Sequence, residues 1–192
     1  MIIIGITGTL GAGKGTIVEY LKEKMGFVHF SVRGFLIEEI RKKSLPVNRN
    51  SMTEIANQLR ATHSPSYIVD ELYKMALQTG KNCIIESIRT PGEIESLRKK
   101  TDFYLFAVDA PPMLRYERIK KRNSETDNIS FETFIQNEQR EMTTTDPNKQ
   151  NLKKCIQMAD FIFDNSGTIA DLRHQVEEVI QQIINKPDFN KN

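Results

Sequence analysis

Several features that would point to particular chemistries are scarce in this chain. Cysteine occurs 2 times in 192 residues. Cys83 and Cys155 stand far apart among apolar neighbours, so they read as buried thiols rather than as a metal pair or a redox centre. Net charge is low, +2, and no basic run is interleaved with aromatics, which leaves nucleic acid without an electrostatic footprint. Long apolar runs are missing as well. "MIIIGIT" and "FYLFAV" fall far below the roughly 18 residues of a membrane span, and Glu and Lys follow the first too soon for a secretory signal. A cytoplasmic protein with no membrane partner is expected. Internal repeats and low-complexity tracts are absent. His29 and His63 stand alone, a pattern more often structural than catalytic.

What is present is an ordinary soluble composition, 39% hydrophobic and 27% charged, enough to bury a core in one domain. Short apolar runs alternate with helical segments, which predicts a parallel sheet covered on both faces. Strands are expected at about 2–7, 27–30, 82–86, 103–108 and 160–164. From Lys14 a helix should bury Ile17, Val18, Leu21 and Met25 on one face. "SMTE" at Ser51 and "TPGE" at Thr90 read as capping boxes, and Thr168 with Asp171 as a further cap. Helices over 31–43, 51–63 and 66–79 are more than one crossover needs, so they read as an insertion. The expected organisation is a single domain over 1–186, with a helical acceptor-side insertion at 31–80, a lid region at 115–143 and a frayed tail at 187–192.

The chemistry begins at "GTLGAGKGT", Gly8 to Thr16. Between a strand and a helix, the backbone N–H groups of a glycine loop can all face one anion, and the helix start adds its positive end. Gly8, four residues, then Gly13-Lys14 is the spacing of a phosphate-binding loop, in which the lysine neutralises the β- and γ-phosphates. A dinucleotide loop fails on spacing, because Thr16 stands where its third glycine belongs. A switch GTPase needs an Asn-Lys-x-Asp element, and "NKQN" ends in Asn151. The loop itself lacks one thing: Gly15 occupies the place of the usual magnesium-binding Ser or Thr.

With Gly15 after the lysine and Thr16 after that, the series "GxxGxGKGT" resembles the loop of the nucleoside monophosphate kinases, adenylate kinase in particular. The resemblance implies a P-loop NTPase fold, a three-layer α/β/α sandwich with a five-stranded parallel sheet, and ATP held by Gly8, Gly11, Ala12, Gly13, Lys14, Gly15 and Thr16. Thr16 would contact phosphate, and Mg²⁺ would keep more of its water, as that ion readily does. "IIESIR" places Glu86 and Arg89 where those kinases carry the acid and arginine of "DGFPR". Glu86 would hold metal-bound water or act as a base, and Arg89 would clamp an acceptor phosphate. "RIKKR" resembles the arginine pair leading into their lid, which implies Arg118 on adenine and Arg122 on the transferring phosphoryl group, with Arg140 as a second lid arginine. "VDAPPMLRYERIKKR" and "ADFIFDNSGTIADLRHQV" are similar to dephospho-CoA kinase. That likeness lays the turn of Asn165 and Gly167 against the base. Over nearly the whole chain, the sequence resembles a branch of archaeal and bacterial P-loop proteins related to both families.

On the acceptor side both resemblances weaken, since "FSVRGFL" carries Arg33 and Gly34 where an acid is expected. Arg33, Arg41 and Arg60 are available there for a phosphate-bearing acceptor. The favoured expectation is Mg²⁺-assisted transfer from ATP to a small phosphorylated acceptor, a nucleoside monophosphate first. Lys14, Glu86 and Arg122 would be catalytic, and Thr16 with Glu86 would hold the metal. Dephospho-CoA kinase is the second reading, and a nucleotide-driven regulator or ATPase without a small acceptor is the third.

Overall fold

The computed structural model describes residues 1–124 and 128–185. The expected frayed tail and residues 125–127 of the polar interval at 122–130 lie outside the described residues. Five strands form one parallel sheet: β1 (Ile2–Gly8), β2 (Val28–Ser31), β3 (Cys83–Glu86), β4 (Asp102–Asp109) and β5 (Phe161–Asp164), in the order β2-β3-β1-β4-β5. All seven residues of β1 are buried. Its neighbours are strands on both edges and helices on both faces, so an unbroken apolar run is what the position demands.

Between the strands run α1 (Lys14–Met25), α2 (Val32–Lys42), α3 (Arg49–Thr62), α4 (Tyr67–Thr79), α5 (Pro91–Arg98), α6 (Pro112–Arg122), α7 (Phe131–Met142), α8 (Leu152–Gln157) and α9 (Ile169–Ile184). Successive strand residues point to opposite faces, and two cores result. Ile3, Ile85 and Leu105 pack with residues of α2, α3 and α4 on one side. Ile2, Ile4, Ile6, Phe106 and Val108 pack with α1 and α9 on the other. The short α8 was not marked by the sequence pattern, because six residues give too little period to see.

Caps fix the helix starts. Thr90 is an N-cap as the sequence reads, with reciprocal bonds to Glu93. The Ser51 reading is corrected by one turn: Asn48 is the N-cap of α3 and Ser51 its third residue. The carboxamide of Asn48 accepts from Ser51 N at 3.0 Å, while the Ser51 hydroxyl is spent on Pro46 O at 2.6 Å.

Glu93 does more than cap. Its Oε2 accepts from the N–H groups of Arg89 and Thr90 at 2.7 and 3.1 Å, and its Oε1 from Arg60 Nη2 and Nε at 2.8 and 3.2 Å. Both side chains are essentially inaccessible, 0% for Glu93 and 1% for Arg60. This pair joins α3 to the turn after β3, where the site begins. Removing one partner strands a buried charge, so Glu93→Ala should destabilise the fold by about 3–5 kcal/mol. For a chain of this size that is a drop of about 10 °C in thermal midpoint, read by circular dichroism.

Candidate active site

Parallel order with β1 in the centre makes the chain leave β1 toward one edge and cross from β3 to β4 on the other side of it. A crevice opens at such a reversal, beyond the carboxyl ends of the strands. A cavity of about 540 Å³ lies there. It is bordered by the loop after β1, the starts of α1 and α2, one face of α3, the turn after β3, the end of α6 and the turn after β5.

The glycine loop is shaped by its neighbours as much as for a ligand. Gly11 has φ 78° and Gly13 φ 108°. A Cβ on Gly11 would stand 2.4 Å from Arg115 O, and one on Gly13 would stand 2.2 Å from Asn165 Nδ2. Packing alone forbids side chains at both. Gly15 differs, because its Cβ would meet nothing within 4 Å. Gly13 caps α1 without a side-chain acceptor, and no acid stands in the first turn. The helix therefore offers its first N–H groups and positive end to the cavity, the arrangement that binds anions.

Lys14 folds back over the loop, donating from Nζ to Thr9 O at 2.8 Å and Gly8 O at 3.0 Å. Burial of the ammonium, with the Arg89 charge second, lowers its pKa to about 7; Glu86 and Glu141 oppose the shift. Glu86 ends β3 beside Ile6 of β1 and faces the same cavity. Its Oε1 accepts from Ser87 Oγ at 3.1 Å, and its Oε2 lies 3.5 Å from His29 Nε2. Burial pushes the Glu86 carboxyl up, but the His29 ring and the Lys14 charge outweigh it and hold the group below its ordinary value. Ser87 takes φ 75°, an uncommon conformation for a residue with a side chain. Its N–H and that of Ile88 both donate to Ile6 O, at 2.9 and 3.0 Å, which pins this turn against the start of the loop.

Arginines surround the remaining walls. Arg33, Arg60, Arg89, Arg118 and Arg122 line the cavity, together with Gly11, Gly13, Lys14, Gly15, Thr16, Glu86, Asn165 and Gly167 from the expected set. Four expected residues do not line it. Gly8 and Ala12 are buried behind the loop, and Ala12 O accepts from Asn165 Nδ2 at 2.8 Å. Arg41 is exposed in the last turn of α2, and exposed Arg140 of α7 reaches Asn137 Oδ1 at 3.4 Å. On the turn after β5, Arg118 Nη2 donates to Asn165 O at 2.8 Å. Exposed Ile169 adds an apolar wall beside them.

Sequence reasoning missed Arg49, Glu141 and Gln150, all of which line the cavity. It also missed the role of Arg115, read only as part of a basic helix. Arg115 is 2% exposed and donates to Leu10 O of the loop and to the Glu138 carboxylate. The signal was available in α7. Phe134, Glu138 and Glu141 recur at helical spacing, so two acids lie on the stripe that Phe134 buries. Among the described residues, no group of three or more His, Cys, Asp or Glu could hold a metal alone. No helix among them is long and apolar enough to cross a membrane.

Two outcomes follow from the loop. Gly11→Ala adds strain of about 1–3 kcal/mol to the ligand-free protein and lowers its thermal midpoint by about 2–10 °C. Gly15→Ala leaves the midpoint unchanged or slightly higher, because a Cβ there meets nothing within 4 Å. The second outcome concerns protons. Lys14 is depressed in the fold, so between about pH 7 and 10 the folded protein binds fewer protons than the unfolded chain and gains stability as pH rises. A triphosphate restores the charge, so binding around pH 8 takes up close to one proton at Lys14, and binding below about pH 6 takes up none there. Calorimetry in buffers of different ionisation heat reads this uptake, and Lys14→Met removes it.

The loop and the strand order agree with the comparisons. A family profile described as an AAA domain matches residues 4–146. A UPF0200 protein of Methanococcus maripaludis is 30% identical over 192 residues, covering 96% of this chain and 99% of the relative. TT1252 from Thermus thermophilus shares the fold with TM-score 0.64 at 19% identity, over 95% of this chain and 97% of that one. A dephospho-CoA kinase from Campylobacter jejuni does so with TM-score 0.55 at 18% identity, over 95% and 98%. With a nucleotide-binding phosphate loop set in the fold of small-molecule kinases, the chain belongs to the UPF0200 family of AAA-domain proteins.

Proposed function

We propose that this protein transfers the γ-phosphoryl group of ATP to a small phosphorylated acceptor, with a nucleoside monophosphate favoured. The observation that carries the reading is one cavity lined together by Lys14 and an uncapped helix start, by Glu86, and by Arg33, Arg49 and Arg89. A cationic acceptor wall distinguishes a phosphotransferase from a protein that only hydrolyses or senses nucleotide, which needs no second anion site. The share of the chain between 31 and 80 supplies the acceptor side in this reading, and 115–143 the lid.

Lys14 and the loop amides would hold the donor phosphates, releasing the lysine from Gly8 O and Thr9 O. Arg118 and the turn of Asn165 and Gly167 would flank the base, and Arg122 would neutralise the moving group. Thr16 and Glu86 suit Mg²⁺ held largely through water and phosphate oxygens, and the ion when bound would supply charge neutralisation across the β- and γ-phosphates. Glu86, kept ionised by its surroundings, could also accept the proton of an acceptor hydroxyl. Little covalent chemistry falls to the protein; positioning and charge carry the barrier.

A dephospho-CoA acceptor is the second reading. Support comes from the apolar wall of Val32, Leu36, Met52 and Ala56, a surface suited to a pantetheine arm, and from the fold shared with the Campylobacter jejuni enzyme. One panel tests both: ATP and Mg²⁺ with each nucleoside monophosphate and with dephospho-CoA, scored for ADP release. The expected result is stimulation by one acceptor class, lost by at least about a hundredfold in Lys14→Met. ADP release that no acceptor stimulates would sink the proposal in favour of an ATPase.

A further inference from the structure

One carboxylate on the cavity wall has no part in the chemistry above. Glu141, in the last turn of α7, is 5% exposed. Its Oε1 accepts from Arg49 Nη2 at 2.5 Å and its Oε2 from Arg89 Nη1 at 2.8 Å. The two arginines come from separate elements, Arg49 from the first turn of α3 and Arg89 from the turn after β3. Arg89 Nη1 also donates to Gln150 Oε1 at 3.1 Å. Two guanidinium groups brought together in a half-buried wall repel one another, and a shared carboxylate offsets that repulsion. Burial raises the Glu141 carboxyl, yet the Arg89 and Arg49 charges outweigh burial and hold it ionised, below its ordinary value.

The carboxylate engages only part of each fork. Arg49 Nε is buried and has no hydrogen-bond partner among the described residues. Arg49 also starts a stripe of α3 that lines the cavity, continuing through Met52, Thr53 and Ala56. The second and third of those turns are mainly apolar, so the cationic end and the apolar run together suit a molecule with an anionic head and an apolar or flat body.

We propose that Glu141 is the positioning residue of an oxyanion subsite: it holds Arg49 and Arg89 by one edge each, so that their remaining N–H groups form a preset cradle for the acceptor's phosphate. This rests on the phosphotransfer reading for the identity of the ligand, and on the geometry alone for the cradle. Groups that orient a binding residue, without touching the ligand, commonly change affinity by about 10–100-fold when altered.

The test uses inorganic phosphate as the probe. The protein is first saturated with Mg²⁺ and the β,γ-imido analogue of ATP, which fills the donor loop through its γ position, and phosphate is then titrated by calorimetry. Wild type is expected to bind phosphate. Glu141→Gln should weaken phosphate by about tenfold or more while the affinity for the ATP analogue stays within about twofold. Arg49→Gln should weaken phosphate to the same degree, and the double variant should add little, because the residues act as one unit. If folded Glu141→Gln binds phosphate as wild type does, the positioning role is wrong; if that variant does not fold, full phosphate affinity in Arg49→Gln overturns the cradle. Absence of phosphate binding to wild type overturns the cradle too. Failure of the ATP analogue to bind is a different result: it removes the phosphotransfer reading and leaves the phosphate titrations to decide the cradle.

Discussion

Arg115 spends its guanidinium on Ala110 O at 2.7 Å, Leu10 O at 3.3 Å and the two oxygens of Glu138, with the Phe134 ring 5.4 Å beneath it. Burying a cation costs several kcal/mol unless a counter-charge and hydrogen bonds offset it. Here the partners come from three places, the phosphate loop, the start of α6 and α7. The cation is satisfied only when all three are assembled. Its backbone carbonyl also occupies the space a Gly11 side chain would need. Asp109, at the end of β4, completes the surround, 3.4 Å from Arg115 Nε and bonded by Thr9 Oγ1 at 2.6 Å. The loop that would cradle phosphate thus takes its shape from outside itself, from Asp109 and Arg115 on one side and Asn165 on the other.

The same helix then governs the other half of the cavity. Glu138 and Glu141 are one turn apart on α7, the first serving the loop through Arg115 and the second serving Arg49 and Arg89. A wall with seven lysine and arginine side chains and three glutamates would open in the absence of an anion if nothing balanced it. The protein answers with internal oxygens: Glu141 between two arginines, Glu93 behind Arg60, Asn165 O on Arg118, and loop carbonyls on Lys14. These substitutes differ in strength. Carboxylates hold Arg49, Arg60 and Arg89, whereas Lys14 meets only loop carbonyls, and burial with the Arg89 charge beside it weakens its hold on a proton.

Legibility divided along a physical line. Strands were open to reading, because β1 and β4 are long apolar runs and such runs can be seen without knowing their partners. The Thr90 cap was legible for the same reason, its two partners being three residues apart. Arginine fates were not. Within one basic helix, Arg115 is buried and structural, Arg118 leans on Asn165, Lys120 and Lys121 face solvent, and Arg122 borders the cavity. Nothing local separates them; the choice is made by α7 and the turn after β5, distant in sequence. Arg41 and Arg140 were expected in the site and Arg49 was not, yet the first two stand on exposed faces while Arg49 begins the helix face that meets Glu141. Charge at a position can be read from a sequence, but its partner is a tertiary fact.

The glycines show where that line bends. Four of them in nine residues look like one device for one phosphate, and the structure separates their causes. Gly11 and Gly13 are required by Arg115 O and Asn165 Nδ2 and by their positive φ. Those contacts would exist with or without a ligand. At Gly15 no neighbour objects to a side chain and the backbone is unstrained, so a serine or threonine could stand there at no packing cost. Packing therefore gives no reason for its absence. In the phosphotransfer reading a hydroxyl at that position would reach a bound Mg²⁺, and a bare backbone would leave the ion to its water, with Thr16 and Glu86 as the candidate oxygens. The residue that the fold leaves free is therefore the one whose identity speaks most directly about the ligand.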